Sequence, residues 1–309
     1  MRRAFLSLPA ALTGVVLLGA CGPLEAGAPG AGRAQRQGPA CRDAVAPSGA
    51  PVSSASPASP AESTGAEGDG VRAVVVDGCP AFEVTNEAAR SFTYTVTYQV
   101  LTTGGVARAG TERTVATVGP GRTVRRTVDP GASATGADGG ARLKIVKVRS
   151  VPAAEAPAET GPCPSSGVRV YADDGDAAMG LRVVGLHLAN CGTRAYRLDG
   201  YPSVRLLDER HTAVAGVRVL HGGASIATGT GADALPRPSV LEPGESARAT
   251  LVWRNTTGLG SEPVDAPYVR VVAKPGAPAV TVTPELDLGT TGKLGVGAWQ
   301  KDEASRAPR

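Results

Sequence analysis

Leu186-His187-Leu188-Ala189-Asn190-Cys191-Gly192-Thr193, followed by Leu198-Asp199-Gly200-Tyr201-Pro202-Ser203-Val204, decides how this chain is read. An apolar residue at every second position is the signature of a strand with one buried face. Val184, Leu186 and Leu188 share that face, and His187 takes the other. Asn190-Cys191-Gly192 reads as a turn, and Gly200 supplies a position where φ > 0 carries no penalty. Tyr201 precedes Pro202 and is pushed to extended geometry. At such a corner a buried tyrosine is expected to send its hydroxyl to a nearby backbone group.

Working outward, residues 163–297 read as one antiparallel β-sandwich. Val168–Tyr171 is its first strand and Asp173-Asp174-Gly175-Asp176 a polar hairpin turn, since the glutamate that closes a calcium loop is missing. Val204–Asp208 and Ala213–Val219 read as a hairpin joined through Glu209-Arg210-His211, with His211 and His221 in turns. Leu220 to Pro238 is a long loop without apolar period. Pro243-Gly244 turns the chain into Thr250–Trp253; Tyr268–Val272 and Val280–Val282 follow. Leu294–Trp299 is expected as an edge strand, and 298–309 as a frayed tail.

Residues 71–151 read as a smaller sandwich of about five strands. Phe92, Tyr94, Val96, Tyr98 and Val100 alternate with Thr and Gln, so these aromatics are core rather than a ligand platform. Pro120-Gly121 fits a type II turn, and the alternation slips between Ile145 and Val146, where a β-bulge is expected. A Pro/Ala/Glu linker, 152–162, separates the two units. The fold class is therefore all-β, two immunoglobulin-like antiparallel β-sandwich domains. The units echo each other: Asn86 and Asn190 each end a strand, and Pro120-Gly121 and Pro243-Gly244 each open one.

The N-terminus is an address. Arg2 and Arg3 precede an apolar run, Ala4 to Leu18, too short to span a bilayer. Leu18-Gly19-Ala20-Cys21 resembles the lipobox of bacterial lipoprotein signal peptides, which implies lipid attachment at Cys21 and removal of residues 1–20. Residues 21–70, rich in Ala, Gly, Pro and Ser, read as a disordered tether. Cys41, Cys79, Cys163 and Cys191 remain. Of their three pairings, only Cys41–Cys79 with Cys163–Cys191 keeps each bridge on one side of the linker.

Cys163-Pro164, the Leu186-to-Asn190 strand, Leu198-Asp199-Gly200-Tyr201-Pro202, Leu241 with Pro243-Gly244, and Trp253 together resemble the domain of unknown function 4232, common in actinobacterial lipoproteins. Many members carry a cysteine where this chain has Arg197. The resemblance implies no established activity.

Composition narrows the function. A formal charge of +4 gives no basic stripe for nucleic acid. Three scattered histidines without ligand spacing offer no metal site. His221-Gly222-Gly223 lacks the nucleophile elbow that would make it an oxyanion turn. No catalytic residue, metal or cofactor is therefore expected. The expected protein is a lipid-anchored module on the extracytoplasmic face of the cell membrane, non-catalytic, meeting an unknown protein, glycan or wall polymer. The alternative is a cell-envelope hydrolase. Sandwiches display function on loops, so His221, Ser225, Thr228, Thr230 and Asp233 are the candidate binding residues.

Overall fold

The computed structural model describes Cys41 and residues 70–102, 104–107, 110–131, 141–258 and 262–303. The leader, Cys21 and most of the segment read as a tether lie outside the described residues. The described chain is all-β, with one 3₁₀ turn at Ala153–Glu155.

Six strands come first: β1 Val71–Val76, β2 Cys79–Thr85, β3 Phe92–Leu101, β4 Thr111–Val118, β5 Thr123–Thr127 and β6 Arg142–Pro152. They form two antiparallel sheets, β1-β2-β5 and β4-β3-β6. Alternation in β3 buries Phe92, Tyr94, Val96, Tyr98 and Val100 against Phe82, Val84, Val115 and Ile145. The bulge falls where the alternation slips. Thr97 faces Lys147 and Tyr98 faces Ile145, so Val146 has no partner across the ladder and is exposed. Pro120-Gly121 makes its tight turn with Gly121 at φ 64°, and moves the chain from one sheet to the other instead of pairing β4 with β5.

The remaining strands are β7 Val168–Ala172, β8 Asp176–Ala178, β9 Leu181–Asn190, β10 Tyr196–Leu198, β11 Ser203–Leu207, β12 Arg218–His221, β13 Ser239–Leu241, β14 Ser246–Arg254, β15 Asp265–Ala266, β16 Tyr268–Val272, β17 Ala279–Val282, β18 Leu286–Asp287, β19 Lys293–Val296 and β20 Gln300–Lys301. One sheet runs β12-β19-β14-β9-β7, with β8 beside β9 and β20 beside β14. A second runs β11-β16-β17, and β10-β13 and β15-β18 are short pairs. Between the sheets lies a core that includes Leu186, Leu188, Leu241, Leu251, Trp253 and Trp299. Trp253 Nε1 donates to Asp287 Oδ1 at 2.8 Å, so the indole is buried without losing its hydrogen bond.

Several expectations for this region are corrected. Asp173 to Asp176 is not a hairpin turn. It is a kink in an edge strand, because β7 and β8 both pair with β9 on either side of it; the turn is Met179-Gly180, both at positive φ. Ala213–Val219 does not form a long hairpin arm. Only Leu207 and Ala213 bridge, and β12 joins the other sheet in parallel with β19. His221 therefore ends a strand. The strand at 293–296 is not an edge, since β19 sits between β12 and β14. The tail is not frayed at 298, because Ala298 and Trp299 are buried and Trp299 Nε1 donates to Ala273 O at 2.9 Å. Tyr201 is half-buried, not buried, and its ring stacks on His221 with centroids 4.3 Å apart.

The bridges join Cys41 to Cys79 and Cys163 to Cys191. The Asn-to-Pro-Gly echo has a physical basis. Asn86 Nδ2 donates to Arg90 O and Val118 O, each at 2.8 Å, while its Oδ1 accepts from Ala88 N. Asn190 Nδ2 donates to Arg194 O at 2.8 Å and Leu241 O at 2.9 Å, and its Oδ1 accepts from Gly192 N. In both places the Pro-Gly glycine donates its N–H to the asparagine carbonyl, as Gly121 to Asn86 and Gly244 to Asn190. Both asparagines are buried. Asn190→Ala leaves the buried Leu241 carbonyl and the part-buried Arg194 carbonyl without this donor and is expected to lower the unfolding free energy by about 1–3 kcal/mol, measured by urea denaturation.

Candidate functional site

Two shallow clefts meet at a seam between the β1–β6 strands and the later ones, on either side of His211. The larger, about 400 Å³, is lined by Thr85, Glu87, Phe92, Tyr94, Glu209 and Arg210, and the smaller, about 260 Å³, by Arg90, Glu155, Arg205, Leu207, Arg270 and Thr281. Sequence reasoning left His211 in a turn. The structure holds it at φ 59°, in the left-handed region that disfavours a side chain. Its Nε2 lies 2.7 Å from Ser150 O, so that nitrogen carries the hydrogen. The ring packs on Tyr268 and Phe92, with centroids 4.4 and 5.6 Å away.

The seam is fixed by charge as well as by the small cluster of Val151, Leu207, Tyr268 and Ala156. Arg149 forks onto Glu285 at 2.6 Å for both Nε and Nη2, and its Nη1 reaches Glu209 at 3.1 Å. Desolvation alone would lower the Arg149 pKa, but Glu285 outweighs it and raises it. The 152–162 linker is not a free spacer. Its Glu155 accepts Arg270 Nε and Nη2 at 2.9 Å and Thr281 Oγ1 at 2.8 Å. Burial pushes the Glu155 carboxyl up, and these donors, led by Arg270, bring it below the usual carboxylate range.

A second polar cluster lies on the outer face of the β7-β9-β14 sheet. Asp173 Oδ1 accepts Gly185 N at 2.7 Å, and Oδ2 lies 3.0 Å from His187 Nε2 and 3.2 Å from Arg248 Nη2. Gly185 makes the space, since a Cβ there would stand 2.3 Å from Asp173 Oδ2. His187 stacks on Tyr171, with centroids 5.0 Å apart. Partnered in this way, His187 clamps the kinked edge strand to β9.

Of the five loop residues singled out from sequence, His221 ends β12 and the other four lie between β12 and β13. Asp233 Oδ1 accepts Gly223 N and Thr230 Oγ1 accepts Ala232 N, so both hold the loop itself. His221 lies under Tyr201, and Ser225 and Thr228 are exposed. Among the described residues no group of three His, Cys, Asp or Glu is placed for a metal ion, and no helix is long and apolar enough to cross a membrane.

Residues 163–300 match the family model of the domain of unknown function, DUF4232. A DUF4232 domain is present here. It takes in β7 to β19 and one wall of the seam, while β1 to β6 lie outside it. No curated protein matches the chain. A crystal structure of red sea bream transglutaminase is similar over 74% of this chain at 10% identity, and this chain spans 28% of that enzyme's length; at a TM-score of 0.17 the likeness decides nothing about fold or activity.

Four carboxyls are held below their usual range, Glu245 by Lys301 and the backbone N–H of Glu242, and three in the body of the fold. In each of these three, burial acts upward and is outweighed: at Glu83 by Arg125 and Arg72, at Glu155 by Arg270, and at Asp173 by His187, Gly185 N and Arg248. A carboxyl with a depressed pKa in the folded state adds stability above its unfolded pKa, and loses it as pH falls through the folded one. The thermal midpoint is therefore expected to fall from roughly pH 5 towards pH 2. Asp173→Asn should flatten that slope and, at pH 7, lower stability by about 1–2 kcal/mol through the weakened hydrogen bonds; a pH series of thermal melts of both proteins checks it.

Proposed function

We propose that this chain is an extracytoplasmic lipoprotein of the actinobacterial type, anchored through diacylated Cys21, and that its β domains are a non-catalytic binding module for a protein, glycan or wall polymer. The observation that carries the reading is the pair of disulfides. Such bridges form and persist outside the reducing cytosol. Cys41–Cys79 also ties Cys41 to the first folded unit, across 38 residues of sequence. Two acyl chains on Cys21 satisfy the two-signal requirement for stable attachment.

We read the β strands as two immunoglobulin-like sandwiches of one plan. β1-β2-β5 corresponds to β7-β9-β14, each sheet with an asparagine at the end of its middle strand. β3, which pairs β4 and β6, corresponds to β10 and β11 together: β10 pairs β13, and β11 pairs β16. The Gly200-Tyr201-Pro202 corner breaks that strand into two. The seam clefts then lie where two rigid sandwiches present side chains from both, a common placement for ligand sites. Cys21→Ala is expected to move the protein from the membrane fraction to the medium, read by immunoblot of fractionated cells; unchanged retention would overturn the anchor.

A further inference from the structure

We infer that the smaller cleft beside His211 is a binding site for a phosphate group. The argument starts from a conflict in the sheet. Arg205 on β11 and Arg270 on β16 are directly opposite in antiparallel register, where side chains share a face and like charges repel. Thr281 on β17 continues the row. Of the two arginines Glu155 grips only Arg270, at two points, and it also accepts from Thr281. Arg205 is exposed and, among the described residues, has no hydrogen bond, ion pair or ring partner.

A third guanidinium enters from the other side of the seam. Arg90 is held at its backbone by Asn86 Nδ2, and its side chain lies over Phe92, 5.2 Å from the ring centroid. Three arginines from three separately anchored segments thus line about 260 Å³, with a single carboxylate already in use. A local rule broken without compensation inside the fold marks a functional position. Planar guanidinium forks match the oxygens of an oxyanion in two-point contacts. Three arginines against one carboxylate leave the cleft a net charge of +2, which fits a phosphate near −2 better than a singly charged carboxylate and gives a neutral sugar nothing to match. A phosphate ester on a polymer and free phosphate share this chemistry. The assignment rests on the reading of the chain as a binding module and names the class of its ligand.

The test is calorimetric titration of the full-length protein in detergent, at fixed ionic strength, with inorganic phosphate, with glycerol phosphate and with acetate. Saturable one-to-one binding of either phosphate species is expected, weakened roughly tenfold or more in Arg205→Gln and in Arg90→Gln. Preference for glycerol phosphate assigns the site to an ester, and equal binding assigns it to the phosphate alone. Without phosphate, Arg205→Gln should leave the thermal midpoint unchanged or raise it, because the charge opposing Arg270 is gone. No saturable binding, acetate binding as tight as phosphate, equal binding by the variants, or a lower midpoint for Arg205→Gln would overturn the assignment. The anchor is judged separately by Cys21→Ala, so either reading can fail alone.

Discussion

A buried asparagine carboxamide holds each half of this protein in register. Asn86 and Asn190 sit at a strand end, and each Nδ2 serves two neighbouring carbonyls. One of the two belongs to the residue just before the Pro-Gly turn, Val118 or Leu241. The side chain therefore closes its own turn, four residues on, and ties it to a segment 32 or 51 residues away. Buried backbone groups left unpaired are costly, and neither Ser nor Ala can reach both carbonyls. The same lock fixes the backbone of Arg90 and so places a guanidinium at the seam.

The seam itself is built more from charge than from apolar area. Its apolar part is three buried residues with Ala156 beside them, whereas Arg149, Glu285, Glu155 and Arg270 form two-point ion pairs across it. Forked pairs of this kind fix orientation better than they add stability, because desolvation offsets much of the attraction. His211, at positive φ with its Nε2 on Ser150 O, closes the gap between them. Strain at one residue is tolerated where the surroundings over-determine it.

The two polar clusters show how similar residue types reach different ends. Around Asp173 the carboxylate meets Gly185 N, His187 and Arg248, and Gly185 gives up a side chain in mid-strand to make room. Around Arg205 the count does not balance. A sheet that places two arginines opposite each other gives up stability for something outside itself.

Local pattern determined the class of this fold. Period-two alternation in Phe92–Val100 and Val184–Leu188 reports burial on one face without reference to anything distant, and the slip at Ile145-Val146 located a bulge because a bulge is a local event. The Pro-Gly turns and the positive φ of Gly200 followed from the backbone freedom of single residues. Tertiary structure decided which strands pair. The parallel β12–β19 contact, the central place of β19 and the burial of Trp299 depend on partners between about 26 and 75 residues away, which no local pattern encodes. The seam site was invisible in sequence: Arg90, Glu155, Arg205, His211 and Arg270 look like ordinary surface residues until register sets Arg205 against Arg270.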